Sequence, residues 1–392
     1  MSQLSRTFSI EDLRRQARRR LPRLVFDFID GGAGDESTLR ENSRAFENWV
    51  LIPRVGVDVS ERDLSVNILG RPSTLPLILA PTGLAGFFWP NGEVHALRAA
   101  SEAGIPFCLS TNSIASMEGV AAALPDSERW FQLYMLKDKG MLDSMLDRAH
   151  AAGYCVLCLT IDLPIQGRRE RDLRNGFTLP LRPRVKSVWD VARRPQWLYG
   201  LARNPVSFGN FGGLGGGATS IAQHVATLFD PAATWDDFAR VRERWKGQFV
   251  IKGVLHPDDA RRAAALGAAA VIVSNHGGRQ LDAVPAACAA LPGVVNAIGG
   301  QAQIILDGGV RRGTDILKAL ALGASACMIG RPFLWGLASA GPAGVARTLK
   351  IFRDELDNGL ALLGVRSLKD ISGDYIRWKD TLGSEVEGGP RA

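Results

Sequence analysis

Short apolar runs alternate with longer amphipathic segments along most of the chain. Four of the amphipathic segments end in glycine just before an apolar run, as in SEAG-IPFCLST, HAAG-YCVLCLT, ALG-AAAVIVSNHG and ALG-ASACMIG. A glycine just past the end of a helix typically adopts the left-handed conformation. A short, β-branched apolar run is typical of a buried parallel strand. The pattern therefore predicts repeated helix–strand units and an α/β fold.

Eight apolar runs are predicted to be strands of this kind: Leu75–Ala80, Pro106–Leu109, Arg129–Met135, Cys155–Ile161, Phe249–Gly253, Ala270–Asn275, Gln303–Asp307 and Ala326–Gly330. The polar or glycine residues that end them stand 22 to 33 residues apart, except for one interval of 92 residues. Eight such units, with polar groups at the carboxyl ends of the strands, predict a TIM (β/α)8 barrel with its site at that end. We expect a single domain over 1–392, with a helical segment at 1–30 and a flexible tail at 383–392.

The long interval predicts an insertion at 174–236, between the fourth and fifth predicted strands. Its first part mixes basic residues with Trp189, Trp197 and Tyr199, and its second part is rich in glycine. Basic and aromatic residues together suit an anionic membrane surface, so we expect residues 182–218 to contact one. A polar lid or a contact between subunits is the alternative.

The composition is that of an ordinary globular protein, with 46% hydrophobic and 22% charged residues, and it excludes a mostly disordered chain. No apolar run approaches the roughly 18 residues that a membrane-spanning helix needs, and the N-terminal stretch lacks the apolar centre of a secretory signal. We therefore expect a cytoplasmic protein, or one held peripherally on the inner face of a membrane. The net charge of +7 would suit nucleic acid, but no nucleic-acid-binding motif accompanies it, so no such partner is expected.

Five cysteines are spread along the chain, and Cys155 and Cys158 form a C-x-x-C motif. Because this motif lies in the apolar run YCVLCLTID, we expect buried structural thiols rather than a redox pair. The spacing of the cysteines and histidines fits no zinc site, and no metal is expected.

The most specific local motif is SNHGGRQ at Ser274–Gln280, which ends the sixth predicted strand. Taken in order with FQLY, LTID-x6-RERD and LDGGVRRGTDILKALALGA, it makes the chain resemble the FMN-dependent α-hydroxy-acid dehydrogenase and oxidase family over about 21–376. The run PTGLAGFFWPNGE is most similar to mandelate dehydrogenase and bacterial L-lactate dehydrogenase. The resemblance implies a TIM barrel, FMN, a homotetramer and oxidation of an L- or (S)-2-hydroxy acid to the 2-keto acid.

The candidate phosphate site lies at the last two predicted strands. Asp307, Gly309 and Arg311 follow the seventh strand, and Gly330 and Arg331 follow the eighth. Loops at these places are the usual phosphate cradle of this barrel. Glycines let backbone N–H groups approach an anion, and arginines add charge-assisted hydrogen bonds. A mononucleotide such as FMN fits, whereas no glycine motif for NAD is evident.

A flavin ring needs polar groups along its edge and positive charge near N1 and O2. Lys252 lies in the otherwise apolar run VIKGV, and the resemblance implies that it is the lysine beside flavin N1. The flavin-contacting positions of the family match Pro81, Thr82, Gly83, Ser110, Gln132, Thr160 and Ser274.

Oxidation of a 2-hydroxy acid removes two protons and two electrons, and His276 is the candidate base for one of these protons. Asp162, at the end of the fourth predicted strand, would orient the imidazole and stabilise its protonated form. Arg279 can bind a substrate carboxylate through its planar fork of donors, and the resemblance adds Arg169 to this anionic site. Tyr134 offers a hydroxyl group to the substrate. The sequence leaves open whether His276 takes the Cα proton or the hydroxyl proton.

Phe28 departs from the family, because most members have there a tyrosine that helps to bind the substrate carboxylate. Phenylalanine keeps the ring and loses the donor, which costs about 1.5–3 kcal/mol, or about 10- to 150-fold in affinity. We expect Phe28 to line the pocket and larger acids to be favoured over glycolate.

The electron acceptor is expected to be a quinone. Oxidases of the family often have alanine at the position of Gly83, and membrane-associated members pass their electrons to quinone. The alternatives are an O2-dependent oxidase that produces H2O2, a flavin-binding protein without turnover, and a membrane-surface scaffold that uses the insertion.

Overall fold

The structure is a computed structural model that describes residues 3–176, 185–203, 208–211 and 227–381. Its centre is a closed barrel in which each strand pairs in parallel with the next, and the last closes onto the first. The barrel strands are β1 (Leu77–Leu79), β2 (Phe107–Ser110), β3 (Arg129–Tyr134), β4 (Val156–Thr160), β5 (Gln248–Val254), β6 (Ala270–Ser274), β7 (Gln303–Asp307) and β8 (Ala326–Ile329). The structure thus confirms the predicted TIM barrel.

Helices surround this barrel. Those that follow the strands are Ala85–Phe88, Gly92–Glu102, Met117–Ala123, Lys139–Ala151, Glu170–Asn175, Trp235–Arg244, Pro257–Ala265, Ala287–Ile298, Gly313–Ala321, Arg331–Ala340 and Pro342–Leu363. The N-terminal part contributes the helices Ile10–Arg20, Arg23–Asp30 and Ser37–Arg44. Two antiparallel pairs of short strands lie outside the barrel, namely Trp49–Leu51 with Ile376–Trp378 and Val66–Ile68 with Arg71–Ser73.

All eight predicted strands are present, and their ends differ from the prediction by at most two residues. The four glycines predicted to end helices, Gly104, Gly153, Gly267 and Gly323, all have a positive φ, between 66° and 101°. Side chains alternate along each strand, so that Cys108, Trp130 and Ile272 fill the barrel interior while their neighbours pack against the helices.

All five cysteines lie within the described residues and are free thiols. Cys158 is buried inside β4, and Cys155 is half-buried just before this strand. These positions agree with the prediction of structural thiols.

The described parts of the insertion include the helices Val185–Ala192 and Pro195–Arg203, a 3-10 turn at Gly209–Phe211 and residues 227–236, which lead into the helix Trp235–Arg244. The predicted membrane segment 182–218 therefore lies partly outside the described residues, and the predicted tail 383–392 lies wholly outside them. Within the described ranges, no helix is long and apolar enough to cross a membrane.

Candidate active site

A cavity of about 530 Å³ lies at the carboxyl ends of the barrel strands. Most of the predicted site residues line it: Phe28, Pro81, Thr82, Gly83, Ser110, Tyr134, Arg169, Lys252, His276, Arg279, Asp307, Gly309, Arg311, Gly330 and Arg331. The other predicted residues lie behind this wall, each beside a lining residue: Gln132, Thr160, Asp162 and Ser274.

His276 and Asp162 form a hydrogen-bonded pair, with 2.8 Å between Nδ1 and Oδ1. The other ring nitrogen, Nε2, lies 3.5 Å from the hydroxyl oxygen of Tyr134. Because the carboxylate engages Nδ1, Nε2 is the nitrogen available for proton transfer. His276 has a left-handed backbone with φ of 57°, which is uncommon outside glycine and clusters at functional sites.

The charges around this pair fix the protonation states of its neighbours. Burial raises the pKa of Asp162, but contacts with His276 and then Lys252 outweigh burial and bring the pKa below its usual value. Burial and then the charge of Asp162 raise the pKa of the Tyr134 hydroxyl. Asp162 is therefore a carboxylate and Tyr134 a neutral phenol at ordinary pH.

Gly253 makes room for Asp162, a role that the sequence analysis did not identify. It lies at an irregularity near the end of β5 with φ of 103°. A Cβ atom at this position would lie 2.6 Å from Cβ of Asp162. Only glycine satisfies both the backbone conformation and the close approach.

Arg279 is held by the carboxyl end of the helix Arg23–Asp30. Its Nη1 donates to the carbonyl oxygens of Phe28, at 2.7 Å, and Gly31, at 3.0 Å. Carbonyl groups at a helix end lack intrahelical partners and carry partial negative charge. Burial, and then the charge of Arg169 and other arginines, lower the pKa of Arg279. Because arginine remains protonated in proteins, this crowding of positive charge favours an anionic ligand.

The ring of Phe28 lies between two cations. The guanidinium carbon of Arg279 is 4.9 Å from the ring centroid, and that of Arg169 is 5.7 Å away. Phe28 thus lines the pocket as predicted and contacts both candidate substrate arginines through cation–π interactions.

Arg331 and Arg311 lie on the part of the wall formed after β7 and β8. Nε of Arg331 donates to the carbonyl oxygen of Ile29 at 3.0 Å, and Nη2 donates to that of Gly31 at 2.8 Å. Burial lowers the pKa of both arginines to about 10. Both arginines are half-buried at the cavity, where a phosphate would neutralise their charge.

Lys252 is the buried cation on the floor of the cavity. Its Nζ lies 2.7 Å from Oδ2 of Asp307 and 2.9 Å from Oγ of Ser274. Burial alone would lower the pKa of Lys252, but Asp307 and then Asp162 outweigh it and raise this pKa. The ammonium group therefore stays charged in an otherwise apolar strand.

Several buried polar atoms at the cavity fit a flavin. Nε2 of Gln132, Oγ1 of Thr160 and Oδ1 of Asn112 have no hydrogen-bond partner among the described residues. Buried polar groups are normally satisfied, and the edge of a flavin ring carries both donors and acceptors. These side chains and Lys252 together have the chemistry that an isoalloxazine ring requires.

The glycines after β7 also allow another part of the chain to pack closely against this loop. Gly308 and Gly309 both have positive φ, 124° and 82°. A Cβ atom on Gly309 would lie 1.8 Å from the carbonyl oxygen of Asn42. This glycine therefore lets the N-terminal part of the chain pack against the predicted phosphate loop.

The structure adds lining residues that sequence reasoning missed: Leu84, Phe88, Asn112, Asp172, Phe208 and Phe229. The apolar members are indistinguishable from core residues in the sequence. Asn112 and Asp172 had a usable signal, because each stands a few residues beyond a predicted site residue, Ser110 or Arg169.

The comparisons with known proteins agree with this geometry. The chain matches the model of the FMN-dependent dehydrogenase family over residues 17–378. It is 42% identical to the L-lactate dehydrogenase of Pectobacterium atrosepticum over 370 residues, 93% of this chain and 95% of that protein. It is also 42% identical to the L-lactate oxidase of Nostoc sp. over 379 residues, 96% of this chain and 100% of that protein.

A crystal structure of the monotopic membrane protein (S)-mandelate dehydrogenase is similar throughout. The TM-score is 0.92 at 38% sequence identity, over 95% of this chain and 100% of that chain. The barrel and its cavity thus define an oxidoreductase that holds a flavin at the carboxyl ends of its strands. The chain belongs to the FMN-dependent dehydrogenase family. FMN is its cofactor, which confirms the prediction.

Proposed function

We propose that this protein uses FMN to oxidise an L- or (S)-2-hydroxy acid to the 2-keto acid. The observation that carries the proposal is the His276–Asp162 pair, which shares one cavity with Arg279 and Lys252. Relatives named lactate dehydrogenase, lactate oxidase and mandelate dehydrogenase support this class of substrate.

The substrate carboxylate binds to Arg279 and Arg169. Arg279 donates to backbone carbonyl oxygens, and Arg169 forms a long ion pair with Asp172 at 3.9 Å. Tyr134 donates its hydroxyl proton toward the substrate and so orients it. His276 accepts a proton at Nε2, from either Cα or the hydroxyl group, and Asp162 stabilises the resulting imidazolium ion. FMN, when bound, would supply the acceptor for the two electrons. The second proton would leave with these electrons as a hydride if His276 takes the hydroxyl proton, or from the hydroxyl group if His276 takes the Cα proton.

The cofactor residues are assigned from the same cavity. Arg311 and Arg331, with Gly309 and Gly330, bind the phosphate, and Lys252 offers its charge to flavin N1 and O2. Asp307 belongs with the loop after β7 that holds the phosphate. The residues proposed for the flavin ring are Pro81, Thr82, Gly83, Ser110, Gln132, Thr160 and Ser274.

The experiment is an anaerobic titration of the purified yellow protein with a panel of 2-hydroxy acids, followed by absorbance near 450 nm. Rapid bleaching by one acid would support the proposal and name the substrate. If no acid of a broad panel bleached the flavin, only flavin binding would remain of the proposed function.

A quinone is the proposed electron acceptor, and an O2-dependent oxidase is the second candidate. Glycine at position 83 supports the first, and the relative named L-lactate oxidase supports the second. Admission of air to the bleached protein separates them, because an oxidase regains its colour within one turnover time and releases H2O2. A dehydrogenase stays bleached until a soluble quinone is added.

The insertion is proposed to bind an anionic membrane surface, so that the protein is cytoplasmic and peripheral on the inner face. Trp189 and Tyr199, on its two described helices, are 69% and 63% exposed. Exposed aromatic residues beside arginines suit a membrane interface. The relative described as a monotopic membrane protein is consistent with this location.

Co-sedimentation with anionic phospholipid vesicles tests the membrane proposal. Replacement of Trp189 and Tyr199 by alanine should reduce the bound fraction severalfold. Leu362→Ala, which removes an equally exposed apolar side chain from the last long helix, is the control. Equal sedimentation of the double variant and the wild type would refute the membrane proposal.

The remaining proposals concern assembly and organisation. A homotetramer and a single domain over 1–392 rest on the family resemblance and on the barrel. Light scattering on the purified protein distinguishes a tetramer from a monomer or dimer.

A further inference from the structure

The insertion contacts the barrel at several described points, and two of them, at Trp197 and at residues 208–211, adjoin the cavity wall. At the first, Nε1 of Trp197 donates to the carbonyl oxygen of Phe87 at 2.9 Å, and the two rings stack edge to face with centroids 5.4 Å apart. Phe87 in turn packs against Phe88, which lines the cavity. The second point is the short segment 208–211, and it reaches the cavity directly.

Asn210 anchors this short segment, and it is only 1% exposed. Its Oδ1 accepts the backbone N–H of Met117 at 2.8 Å. Its Nδ2 donates to Oγ of Ser113 at 2.9 Å and to the carbonyl oxygens of Thr111 and Ser110 at 3.2 Å and 3.3 Å. One side chain thus ties the insertion to the loop after β2, which carries the cavity residues Ser110 and Asn112.

Gly209 permits this docking. Its N–H donates to the carbonyl oxygens of Ile114 and Ser113 at 3.1 Å and 3.3 Å. A Cβ atom on Gly209 would lie 2.3 Å from the backbone nitrogen of Ser116. The segment therefore lies directly on the backbone of the loop, without room for a side chain at this position.

The contacts of Gly209 and Asn210 position Phe208, which is 5% exposed and lines the cavity. Phe28, Phe88 and Phe229 line the same cavity; the rings of Phe28 and Phe88 are 6.3 Å apart, and that of Phe229 is 4.9 Å from Tyr134. The apolar part of the wall thus includes four phenylalanine rings, and two of them, Phe208 and Phe229, belong to the insertion.

The α-carbon of a 2-hydroxy acid carries four substituents. In the proposed function, Arg279 and Arg169 bind the carboxylate, while His276 and Tyr134 face the hydroxyl group and the hydrogen. The fourth substituent, the side chain of the acid, is left to contact the apolar part of the wall. Apolar surface there binds a large apolar group better than a methyl group, in proportion to the area buried.

We infer that Phe208 is a specificity-determining residue and that Asn210 is its positioning residue, so that the insertion selects 2-hydroxy acids with a large apolar, aryl-type side chain. The inference rests on the proposed function. It assigns to the insertion a part in substrate selection that is separate from any contact with a membrane.

The test compares kcat/KM for (S)-mandelate and L-lactate in FMN-loaded wild type, Phe208→Ala and Asn210→Ala. Phe208→Ala should lower kcat/KM for (S)-mandelate by about tenfold or more, as expected for the loss of one large apolar contact. L-Lactate, whose methyl group buries far less apolar area than a phenyl ring, should change by less than about twofold. Asn210→Ala should lower the ratio of kcat/KM for (S)-mandelate to kcat/KM for L-lactate as well, with the effect mainly in KM.

Trp189→Ala is the matched control, because it removes an exposed aromatic side chain from the same insertion. It should leave the ratio unchanged. FMN content and the thermal midpoint are measured on every variant. If Phe208→Ala does not fold, Phe208→Leu replaces it, and this variant should change the ratio of the two kcat/KM values in the same direction by a smaller factor.

An unchanged ratio, or an equal fall for both acids, would overturn the inference. A wild type that prefers L-lactate would also overturn it, while leaving the proposed function intact. If neither of these acids nor any other bleaches the wild-type flavin, the proposed function itself fails.

Discussion

Asp162 and His276 are 114 residues apart in the chain, yet Oδ1 of one lies 2.8 Å from Nδ1 of the other. Asp162 follows β4 and His276 follows β6, so the intervening strand β5 must let the two side chains meet. It does so at Gly253, whose positive φ and missing Cβ leave space for the carboxylate. The pair is thus a product of barrel closure and of one glycine.

Asp162→Asn should lower the rate of substrate-dependent bleaching by about 10²- to 10⁴-fold. The amide can no longer stabilise the imidazolium ion, and it favours the wrong tautomer of His276. Single-turnover bleaching under anaerobic conditions measures the effect, with FMN content as a check on the fold. Asp143→Asn, on an exposed helix face, is the control, and a wild-type rate in Asp162→Asn would contradict the assigned role.

Phe28→Tyr should improve the affinity for small hydroxy acids by about 10- to 100-fold, because it restores one charge-assisted hydrogen bond to the carboxylate. The ring already lies 4.9 Å from Arg279 and 5.7 Å from Arg169, so the hydroxyl group would enter an anion site that exists. The measurement is the apparent Kd for glycolate and L-lactate, taken from the dependence of the bleaching rate on substrate concentration. Unchanged values for every acid would show that this ring does not face the carboxylate.

Lys252→Met should destabilise the protein by about 3–5 kcal/mol, because it leaves the buried carboxylate of Asp307 without its partner at 2.7 Å. The double variant Lys252→Met/Asp307→Asn should recover much of this loss, since the uncompensated charge is gone. Urea unfolding of the single variants and the double variant gives the coupling energy. Additive losses would mean that the two residues do not interact.

Asp282→Asn should have a pH-dependent effect on stability. Asp282 accepts hydrogen bonds from the backbone N–H and hydroxyl of Ser37, and from the backbone N–H of Thr38 at 2.8 Å. Burial raises the pKa of Asp282, but the hydrogen bonds, Thr38 first, outweigh it and hold the pKa well below its usual range. A depressed folded-state pKa contributes stability above the unfolded pKa of about 3.9, and the contribution is lost as pH falls through the folded value.

The substitution should therefore cost about 1 kcal/mol at pH 7, as for the loss of a helix cap. The difference from wild type should shrink progressively below about pH 4. Urea unfolding at several pH values measures this, with the exposed Asp126→Asn as control. A difference that is constant from pH 7 to pH 3 would show that the carboxylate charge is not what stabilises this helix start.

The strands and the polar site residues could be predicted because both leave local signals. Buried strands are short apolar runs, and Lys252 stands out because a cation in such a run needs a partner. The partner itself, Asp307, was assigned to the cofactor, and its ion pair with Lys252 appears only when β5 and β7 close into the barrel.

The apolar wall could not be predicted for the opposite reason. Phe88, Phe208 and Phe229 resemble core residues in sequence, and only the fold shows which apolar side chains face a cavity. The docking of Asn210 depends on the backbone of a loop about 100 residues earlier, and no local pattern specifies such a contact. Gly253 and Gly309 likewise depend on neighbours, Asp162 and Asn42, that approach from other parts of the chain.

The carbonyl oxygen of Gly31 accepts hydrogen bonds from Arg279 and from Arg331. In the proposed function, one of these arginines binds the substrate and the other the cofactor phosphate, so one peptide group serves both anion sites. We expect the two binding equilibria to be linked through this group, and thermodynamic reciprocity then requires each ligand to change the affinity for the other by the same factor. Loss of FMN would then loosen the substrate arginine as well, and a hydroxy acid would help the protein to retain its cofactor.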